Sequence, residues 1–208
     1  MSLTILGATG KTGVQLLDRA LETGHHVRAL VRDPAKVERR DEHLTLVQGD
    51  VRDGDAVAQG VAGSDAVVCV LGPTSKAPDM AVSAGMAQVL VAMERHGDRR
   101  LVVAGAGVGA EGDRPGPFDR LIGFVLRLAA KNVLADMRGT VQLVRASDLD
   151  WTVVRVPMLT DGSGTGRWRV GLVGRGTGPR LARADLAAFL LTQIGDRAHL
   201  RASPVVSN

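Results

Sequence analysis

The sequence predicts an α/β fold in which a doubly wound parallel sheet lies between two layers of helices. Short apolar runs alternate with longer segments of helical period, which is the pattern of β-α-β units in a parallel sheet. The chain has 208 residues, enough for one complete domain. Apolar residues make up 45% of the chain and charged residues 23%, so it has enough apolar material for a core.

Apolar runs bounded by polar or turn-forming residues are the candidate strands. The first is Leu3–Leu6, and a helix follows it at once with Val14, Leu17 and Leu21 on one face. The other candidate strands, in chain order, are Val27–Val31, Leu44–Gln48, Ala66–Leu71, Arg100–Ala104 and Trp151–Val156.

Longer segments of helical period occur between the later strands. Met80–His96 repeats apolar residues at helical spacing, and Gly97 ends it. Phe118–Ala146 is also helical in character, although Gly123 and Gly139 weaken the pattern. We expect these two glycines to mark bends or close packing against the sheet.

Residues 161–179 differ from the rest of the chain because glycine-rich stretches lie on both sides of Arg167–Val173. This composition predicts a small loop or hairpin insertion rather than a second domain. A final amphipathic helix is expected over Ala184–Ile194, and Pro204–Val206 is a candidate edge strand. We therefore expect residues 1–208 to form a single domain with one small insertion.

Charge and cysteine content narrow the function classes. The chain has 26 Lys and Arg against 22 Asp and Glu, a net charge of +4. Its arginines are scattered and no basic run is interleaved with aromatic residues, which favours acidic small ligands over nucleic acid.

The one cysteine, Cys69, cannot form an internal disulfide, as expected in a reducing compartment. With no leader, no apolar run of about 18 residues and no metal-ligand spacing, we expect a cytoplasmic protein without membrane or metal partners.

The most specific motif is the glycine-rich turn after the first strand, Gly7-Ala8-Thr9-Gly10-Lys11-Thr12-Gly13. Glycine permits a tight turn and close approach to a pyrophosphate, and the N–H groups at the following helix start favour an anion. A P-loop needs a glycine five residues before Gly10-Lys11, where Ile5 stands. The turn therefore predicts dinucleotide binding, with a turn that binds no ligand as the alternative.

The end of the second strand indicates which dinucleotide is bound. Leu30-Val31-Arg32-Asp33 has an arginine where an NAD site typically has an acid, and Arg32 suits a 2′-phosphate. Lys36 lies one turn further along. Asp33 leaves NAD(H) possible, and it either pairs with Arg32 or caps the segment that begins at Pro34. NADP(H) is the preferred cofactor, with a solvated loop arginine as the alternative.

Two further loops follow predicted strands. Gly49-Asp50-Val51 comes after the third strand and Leu71-Gly72-Pro73 after the fourth. An open α/β sheet binds its ligand at the carboxyl ends of its strands. Adenine and ribose are therefore expected beside these loops.

Taken in order, these motifs resemble those of the atypical short-chain dehydrogenase/reductases, and most of all their NAD(P)-binding group with flavin reductases and nitrogen-metabolite-repressor-like proteins. The resemblance covers nearly the whole chain. It is carried by Gly7–Gly13, Leu30–Asp33, Gly49–Val51, Asp65–Gly72 and Leu149–Arg155. It implies a Rossmann-like fold, with a 2′-phosphate at Arg32. The cofactor contacts that it implies are at Gly7, Thr9, Gly10, Thr12, Gly13, Asp50, Val51, Leu71 and Gly72.

The chain departs from this family at the expected reaction centre. Gly105-Ala106-Gly107 stands where relatives often carry a hydroxyl, and Met137 stands where flavin reductases have a histidine. The chain has no tyrosine, which excludes the Tyr-x-x-x-Lys acid/base pair. The catalytic residues are therefore unknown. Asp136 is a candidate acid, with a solvated or helix-capping carboxylate as the favoured alternative.

A planar acceptor pocket is predicted from residues of the surrounding loops: Gly107, Phe118, Met158 and Trp168, beside Pro157 at the cofactor. Core or lid packing is the alternative for the larger side chains. The expected function is NADPH-dependent hydride transfer to a flavin, quinone or similar conjugated small molecule, by a monomer or homodimer. The alternatives are a non-catalytic redox sensor and, less favoured, a sugar-nucleotide epimerase or dehydratase.

Overall fold

A central sheet of eight strands organises the described part of the chain, which comprises residues 1–72, 80–105, 109 and 112–208 of a computed structural model. For residues 118, 119, 121, 122, 126 and 127 only the backbone is described. The strands of this sheet are β1 (Ser2–Leu6), β2 (His26–Val31), β3 (Leu44–Gln48), β4 (Ala66–Cys69), β5 (Arg100–Gly105), β6 (Asp150–Arg155), β8 (Arg169–Gly171) and β10 (Val205–Ser207). Two further strands, β7 (Met158–Thr160) and β9 (Arg180–Ala182), pair in parallel with each other.

Helices cover both faces of the sheet. They are α1 (Lys11–Glu22), α2 (Gly54–Val61), α3 (Ala81–His96), α4 (Pro117–Ala129), α5 (Lys131–Ala146) and α6 (Arg183–Gly195). Apolar residues of α1 and α6 form one core with one face of the sheet, and those of α2, α3 and α5 form a second core with the other face. This arrangement confirms the predicted three-layer, Rossmann-like α/β fold.

The strand order is β3-β2-β1-β4-β5-β6-β10-β8, and every neighbouring pair is parallel except β10 with β8. The order reverses between β1 and β4, because β2 and β3 lie on one side of β1 and the later strands lie on the other. In a parallel sheet the carboxyl ends of the strands lie together, and we call that side the carboxyl edge. A ligand of an open α/β sheet binds at this edge, beside the reversal of strand order.

All six strands predicted from the sequence are present, each with ends within two residues of the prediction. The prediction of an edge strand near Pro204–Val206 is wrong, because β10 lies between β6 and β8. The insertion supplies β8, and its antiparallel pairing with β10 covers what would otherwise be the open side of that strand.

The single helical segment predicted over 118–146 is two helices, α4 and α5. The break is at Ala130, whose backbone (φ −136°, ψ 38°) leaves the helical region, and not at Gly123 or Gly139. Gly139 instead lies against α3, where an added Cβ would come 3.4 Å from the Cβ of Ser83. The close packing at Gly139 is therefore against helix α3 and not, as expected, against the sheet.

Candidate functional site

The glycine-rich turn is built so that its first and last glycines touch. Gly7 has a φ of +91°, in the left-handed region that glycine adopts readily. A Cβ on Gly13 would overlap the carbonyl oxygen of Gly7 and come 2.8 Å from the Cα of Ala8. The start of α1 therefore rests directly on the turn, and only glycine fits at position 13.

The start of α1 is open to an anion. Gly10 occupies the N-cap position with no side-chain cap, and the first turn contains no acidic residue. The N–H of Val14 donates to the carbonyl of Gly10 at 2.9 Å, so the N–H groups of Lys11, Thr12 and Gly13 precede the first hydrogen bond of the helix. Such N–H groups and the positive end of the helix dipole favour a phosphate. The turn therefore fits the pyrophosphate of a dinucleotide.

The turn lies at the reversal of strand order. Leu6, the last residue of β1, is level with Leu30 of β2 on one side and Cys69 of β4 on the other. A Cβ on Gly7 would come 3.0 Å from the carbonyl carbon of Val70, so the loops after β1 and β4 are in contact. The backbone nitrogen of Leu71 belongs to the same contact, and the next residue, Gly72, is exposed.

Arg32 follows the last residue of β2 and is exposed, and within the described ranges no hydrogen bond or ion pair joins it to another residue. The carboxylate of Asp33 accepts the N–H of Ala35 at 3.1 Å and so caps the short turn Pro34–Lys36. Asp33 therefore caps this segment and does not pair with Arg32. Lys36 ends that turn and is also exposed.

The loop after β3 is held by local contacts. The Asp50 carboxylate accepts hydrogen bonds from Nε and Nη2 of Arg52 at 2.8 and 3.0 Å. The Arg52 guanidinium lowers the pKa of Asp50 to about 2. Val51 lies against α3, because a Cβ on Gly85 would overlap its side chain. The loops after β1, β3 and β4 all lie at the carboxyl edge, because these strands run parallel in the same sheet.

An ion pair connects the turn with the segment after β7. The ammonium of Lys11 lies 3.0 Å from the carboxylate of Asp161, which also contacts the guanidinium of Arg183 at the start of α6. The hydrogen bond from Lys11 is the largest cause of the lowered pKa of Asp161. Lys11 and Asp161 are both exposed, so the pair contributes little to stability.

The two residues singled out on the long helical segment are buried in α5. Oδ2 and Oδ1 of Asp136 accept the backbone N–H groups of Val82 and Ser83, at 3.1 and 2.7 Å. Both oxygens therefore cap the start of α3. Of the alternatives for Asp136, the structure has the helix-capping carboxylate and not the solvated one. Met137 packs in the same layer and offers no group that donates a proton.

The residues proposed to line an acceptor pocket lie in different surroundings. Met158 begins β7 and is exposed, with Pro157 half-buried before it. The indole of Trp168 packs edge-to-face on Phe189 of α6, with ring centroids 5.7 Å apart. For Trp168 the structure has the core-packing alternative. Gly107 and Pro73 lie outside the described residues, as does the side chain of Phe118.

A buried ion pair at the carboxyl edge was not predicted. Arg155, the last residue of β6, donates two hydrogen bonds to the carboxylate of Asp113 at 2.6 and 3.1 Å. Asp113 precedes α4, and its carboxylate also accepts the N–H of Val173 in the insertion at 3.1 Å. The sequence signal is an arginine at the end of a largely apolar strand, since arginine is rarely buried unless it is paired.

Two features are absent from the described residues. None of the helices in the described ranges is long and apolar enough to cross a membrane. Among the same residues, His, Cys, Asp and Glu side chains form no cluster of three or more that would hold a metal ion.

Comparison with known proteins adds two structures of the same fold. The oxidoreductase ylbE from Lactococcus lactis superposes with a TM-score of 0.82 at 20% identity, covering 100% of this chain and 91% of that one. A short-chain dehydrogenase/reductase (wide type) from Veillonella parvula, solved in complex with NADP, has a TM-score of 0.77 at 20% identity, covering 100% and 94%. At these identities the likeness shows the fold.

Sequence comparison identifies the family. The protein YwnB of Bacillus subtilis is 35% identical over 107 residues, which are 51% of this chain and 48% of YwnB, so the chain spans about half the length of that relative. A family model described as NAD(P)H-binding matches residues 7–197, nearly the whole chain. The chain therefore belongs to the NAD(P)H-binding family, and its fold agrees with its resemblance to the atypical short-chain dehydrogenase/reductases.

Proposed function

We propose that this protein is an NADPH-dependent reductase that acts on a flavin, a quinone or a similar conjugated acceptor. The observation that carries the proposal is the uncapped start of α1 on the glycine-rich turn, with the exposed guanidinium of Arg32 at the end of the neighbouring strand. A pyrophosphate and a 2′-phosphate are the two anionic groups of NADPH. The chain thus offers one cationic or dipolar site for each.

Each proposed contact with the cofactor follows from where the residue lies relative to the glycine-rich turn and the strand ends. Gly10 lets the backbone approach the pyrophosphate, Gly7 and Gly13 hold the turn closely against the start of α1, and the N–H groups of Lys11 and Thr12 donate to the pyrophosphate. Arg32 holds the 2′-phosphate with its fork of donors, and Lys36 adds positive charge nearby. The remaining contacts that we propose are Thr9 at the turn, Asp50 and Val51 at the adenosine, and Leu71, Gly72 and Pro157 along the cofactor. The NADP complex of the Veillonella neighbour supports this assignment by analogy. NAD(H) is the second cofactor that the same turn accommodates.

The acceptor class follows from the acids that the chain lacks. There is no tyrosine, and both oxygens of Asp136 are engaged by α3. The dinucleotide supplies a hydride, and a conjugated acceptor takes it into its ring system while water provides the proton. The protein then acts mainly by holding the two molecules together, which removes roughly 7–11 kcal/mol of a barrier when the geometry is productive.

A dinucleotide-binding redox sensor is the second candidate function. The commitment of Asp136 to α3 and the burial of Met137 favour it, because neither residue supplies a proton. In a sensor, cofactor occupancy alone would report the redox state. An epimerase or dehydratase is not proposed, because such enzymes generally use the tyrosine that this chain lacks.

Turnover of NADPH against a panel of flavins, quinones and dyes tests the proposal. Stopped-flow mixing of the NADPH complex with excess FMN or a quinone should give oxidation faster than that of free NADPH with at least one acceptor. The Gly10→Val variant should show only the rate of free NADPH, because its side chain fills the space for the pyrophosphate. Binding of NADPH by the wild type, with no acceleration by any acceptor, would favour the sensor.

A further inference from the structure

Helix α4 exposes large apolar side chains to solvent. Phe124, Val125 and Leu128 are 55%, 52% and 72% exposed. Their spacing of one, three and four residues places them on one side of the helix, and we call them the α4 apolar face. A contiguous apolar surface of this kind marks a site of interaction, whereas single exposed apolar residues do not.

The segments before and after α4 are held at the carboxyl edge. Asp113, four residues before the helix, is held by Arg155 at the end of β6. Past the other end, Asp136 caps the start of α3, and that start contacts Val51 in the loop after β3. The α4 apolar face is therefore carried on the same edge of the sheet as the glycine-rich turn.

Positive charge accompanies this face. Residues 117–135 include Arg120, Arg127 and Lys131 against one acidic residue, Asp119. Arg120 lies one helical turn before Phe124 on α4, Lys131 begins α5 directly after the break at Ala130, and both are exposed. An apolar face bordered by Arg and Lys is the arrangement with which helices bind at the surface of an anionic lipid bilayer.

A second copy of this chain fits the face less well. Homodimers are usually two-fold symmetric, so the α4 apolar face would meet itself. That contact would bring Arg120 and Lys131 of one copy close to the same residues of the other, and Asp119 is the one acidic residue of 117–135 that could offset them. Like charges brought together across an interface oppose association.

We propose that α4 docks on the surface of an anionic lipid bilayer, with Phe124, Val125 and Leu128 inserted among the lipids and Arg120 and Lys131 at the headgroups. This inference rests on the proposed function. If α4 docks on a bilayer, the acceptor is a lipid-soluble quinone, because such a quinone would reach the carboxyl edge from the bilayer. The expectation of no membrane partner rested on the lack of an apolar run long enough to span a bilayer. Surface docking needs an amphipathic face and not a long apolar run.

Vesicle flotation of the full chain tests the docking directly. The wild type should float with vesicles of phosphatidylcholine and phosphatidylglycerol, tenfold or more above its binding to phosphatidylcholine alone, and salt should weaken the binding. Leu128→Glu and Phe124→Glu should each reduce binding to the level of the neutral vesicles. Val91→Glu is the matched control, because Val91 is 44% exposed on α3 and outside the face. Circular dichroism checks that each variant is folded.

Two results would overturn the docking. One is equal or absent binding to the two kinds of vesicle by the folded wild type. The other is a dimer in analytical ultracentrifugation that Leu128→Glu dissociates, which would assign the face to a second copy. Titration with NADPH needs no vesicles and should be unchanged in Leu128→Glu. Failure of the docking therefore leaves the proposed function standing, and failure of the titration in the wild type counts against the proposed function alone.

Discussion

The guanidinium of Arg155 and the carboxylate of Asp113 form a doubly hydrogen-bonded ion pair with side chains only 5% and 12% exposed. Nε of the same arginine donates to the carbonyl of Ser203 at 2.7 Å, and the carboxylate also accepts the N–H of Val173. The pair thereby joins the end of β6 to the segment before α4, to the insertion and to the segment before β10. It fixes the part of the carboxyl edge from which α4 starts.

Replacing Arg155 by Met should lower the free energy of unfolding by about 3–5 kcal/mol, because it removes the positive charge and the two hydrogen bonds that compensate the nearly buried Asp113 carboxylate. Urea unfolding followed by circular dichroism measures the loss. The control is Lys11→Met, which removes the exposed pair with Asp161 and should change stability far less. Equal losses in the two variants would contradict the role given to the buried pair.

Two glycines of the turn should respond differently to substitution. Gly13→Ala introduces a Cβ that overlaps the carbonyl oxygen of Gly7, so the turn must shift, at a cost of roughly 1–3 kcal/mol in stability. Gly10→Val should stay folded, since a Cβ at Gly10 meets only that carbonyl oxygen, at 3.4 Å. Gly10→Val should nevertheless lose dinucleotide binding, because the side chain occupies the approach to the start of α1.

Thermal melting and a fluorescence titration with NADPH distinguish these two effects. A folded Gly10→Val variant that binds NADPH as tightly as the wild type would show that the turn does not hold the pyrophosphate. A Gly13→Ala variant as stable as the wild type would show that the turn relaxes without cost.

Asp136 should matter for stability more than for rate. Asp136→Ala leaves the N–H groups of Val82 and Ser83 without their acceptors and should cost about 1–3 kcal/mol of stability. Asp136→Asn keeps one acceptor oxygen and should cost less. The measurements are urea unfolding and NADPH turnover. A general acid contributes about a hundredfold or more in rate, so a fall of that size in folded Asp136→Asn would identify a catalytic acid.

Cys69 should be inert in the native protein. Burial in β4 raises the pKa of its thiol to about 11, so little thiolate forms at pH 8. A thiol reagent should therefore react with Cys69 only after unfolding in urea. Because the folded pKa is raised, the contribution of this thiol to stability is complete below its ordinary pKa and is lost as the pH rises toward 11. Rapid labelling of the folded protein at pH 8 would contradict this assignment.

Strands were predicted well because burial on both faces leaves a plain signal. Ala66–Cys69 is buried at every position and reads as an uninterrupted apolar run. Helix α2 was not identified, since eight residues give little periodicity, although Asp53 caps its start by accepting the N–H groups of Asp55 and Ala56. Strands β7 and β9 have three residues each, too few for alternation to be detected.

Contacts between distant residues of the site were harder to predict. The sequence indicated the glycine-rich turn because its glycines lie within seven residues and form one local structure. Arg155 and Asp113 are 42 residues apart, and nothing local pairs them. The contact of Trp168 with Phe189 likewise depends on the packing of the insertion against α6. Apolar character alone did not distinguish a pocket wall from a core residue.

The most direct test of the central claim is the affinity of the wild type for NADPH and for NADH. A charge-assisted contact between Arg32 and the 2′-phosphate is worth roughly 1.5–3 kcal/mol, so NADPH should bind about ten- to a hundredfold more tightly. Arg32→Ala should lose that preference without weakening NADH, whereas Arg138→Ala, which removes an exposed arginine of α5, should keep it. Equal affinities of the wild type for the two cofactors would contradict the role of Arg32, and binding of neither would contradict the account of the turn.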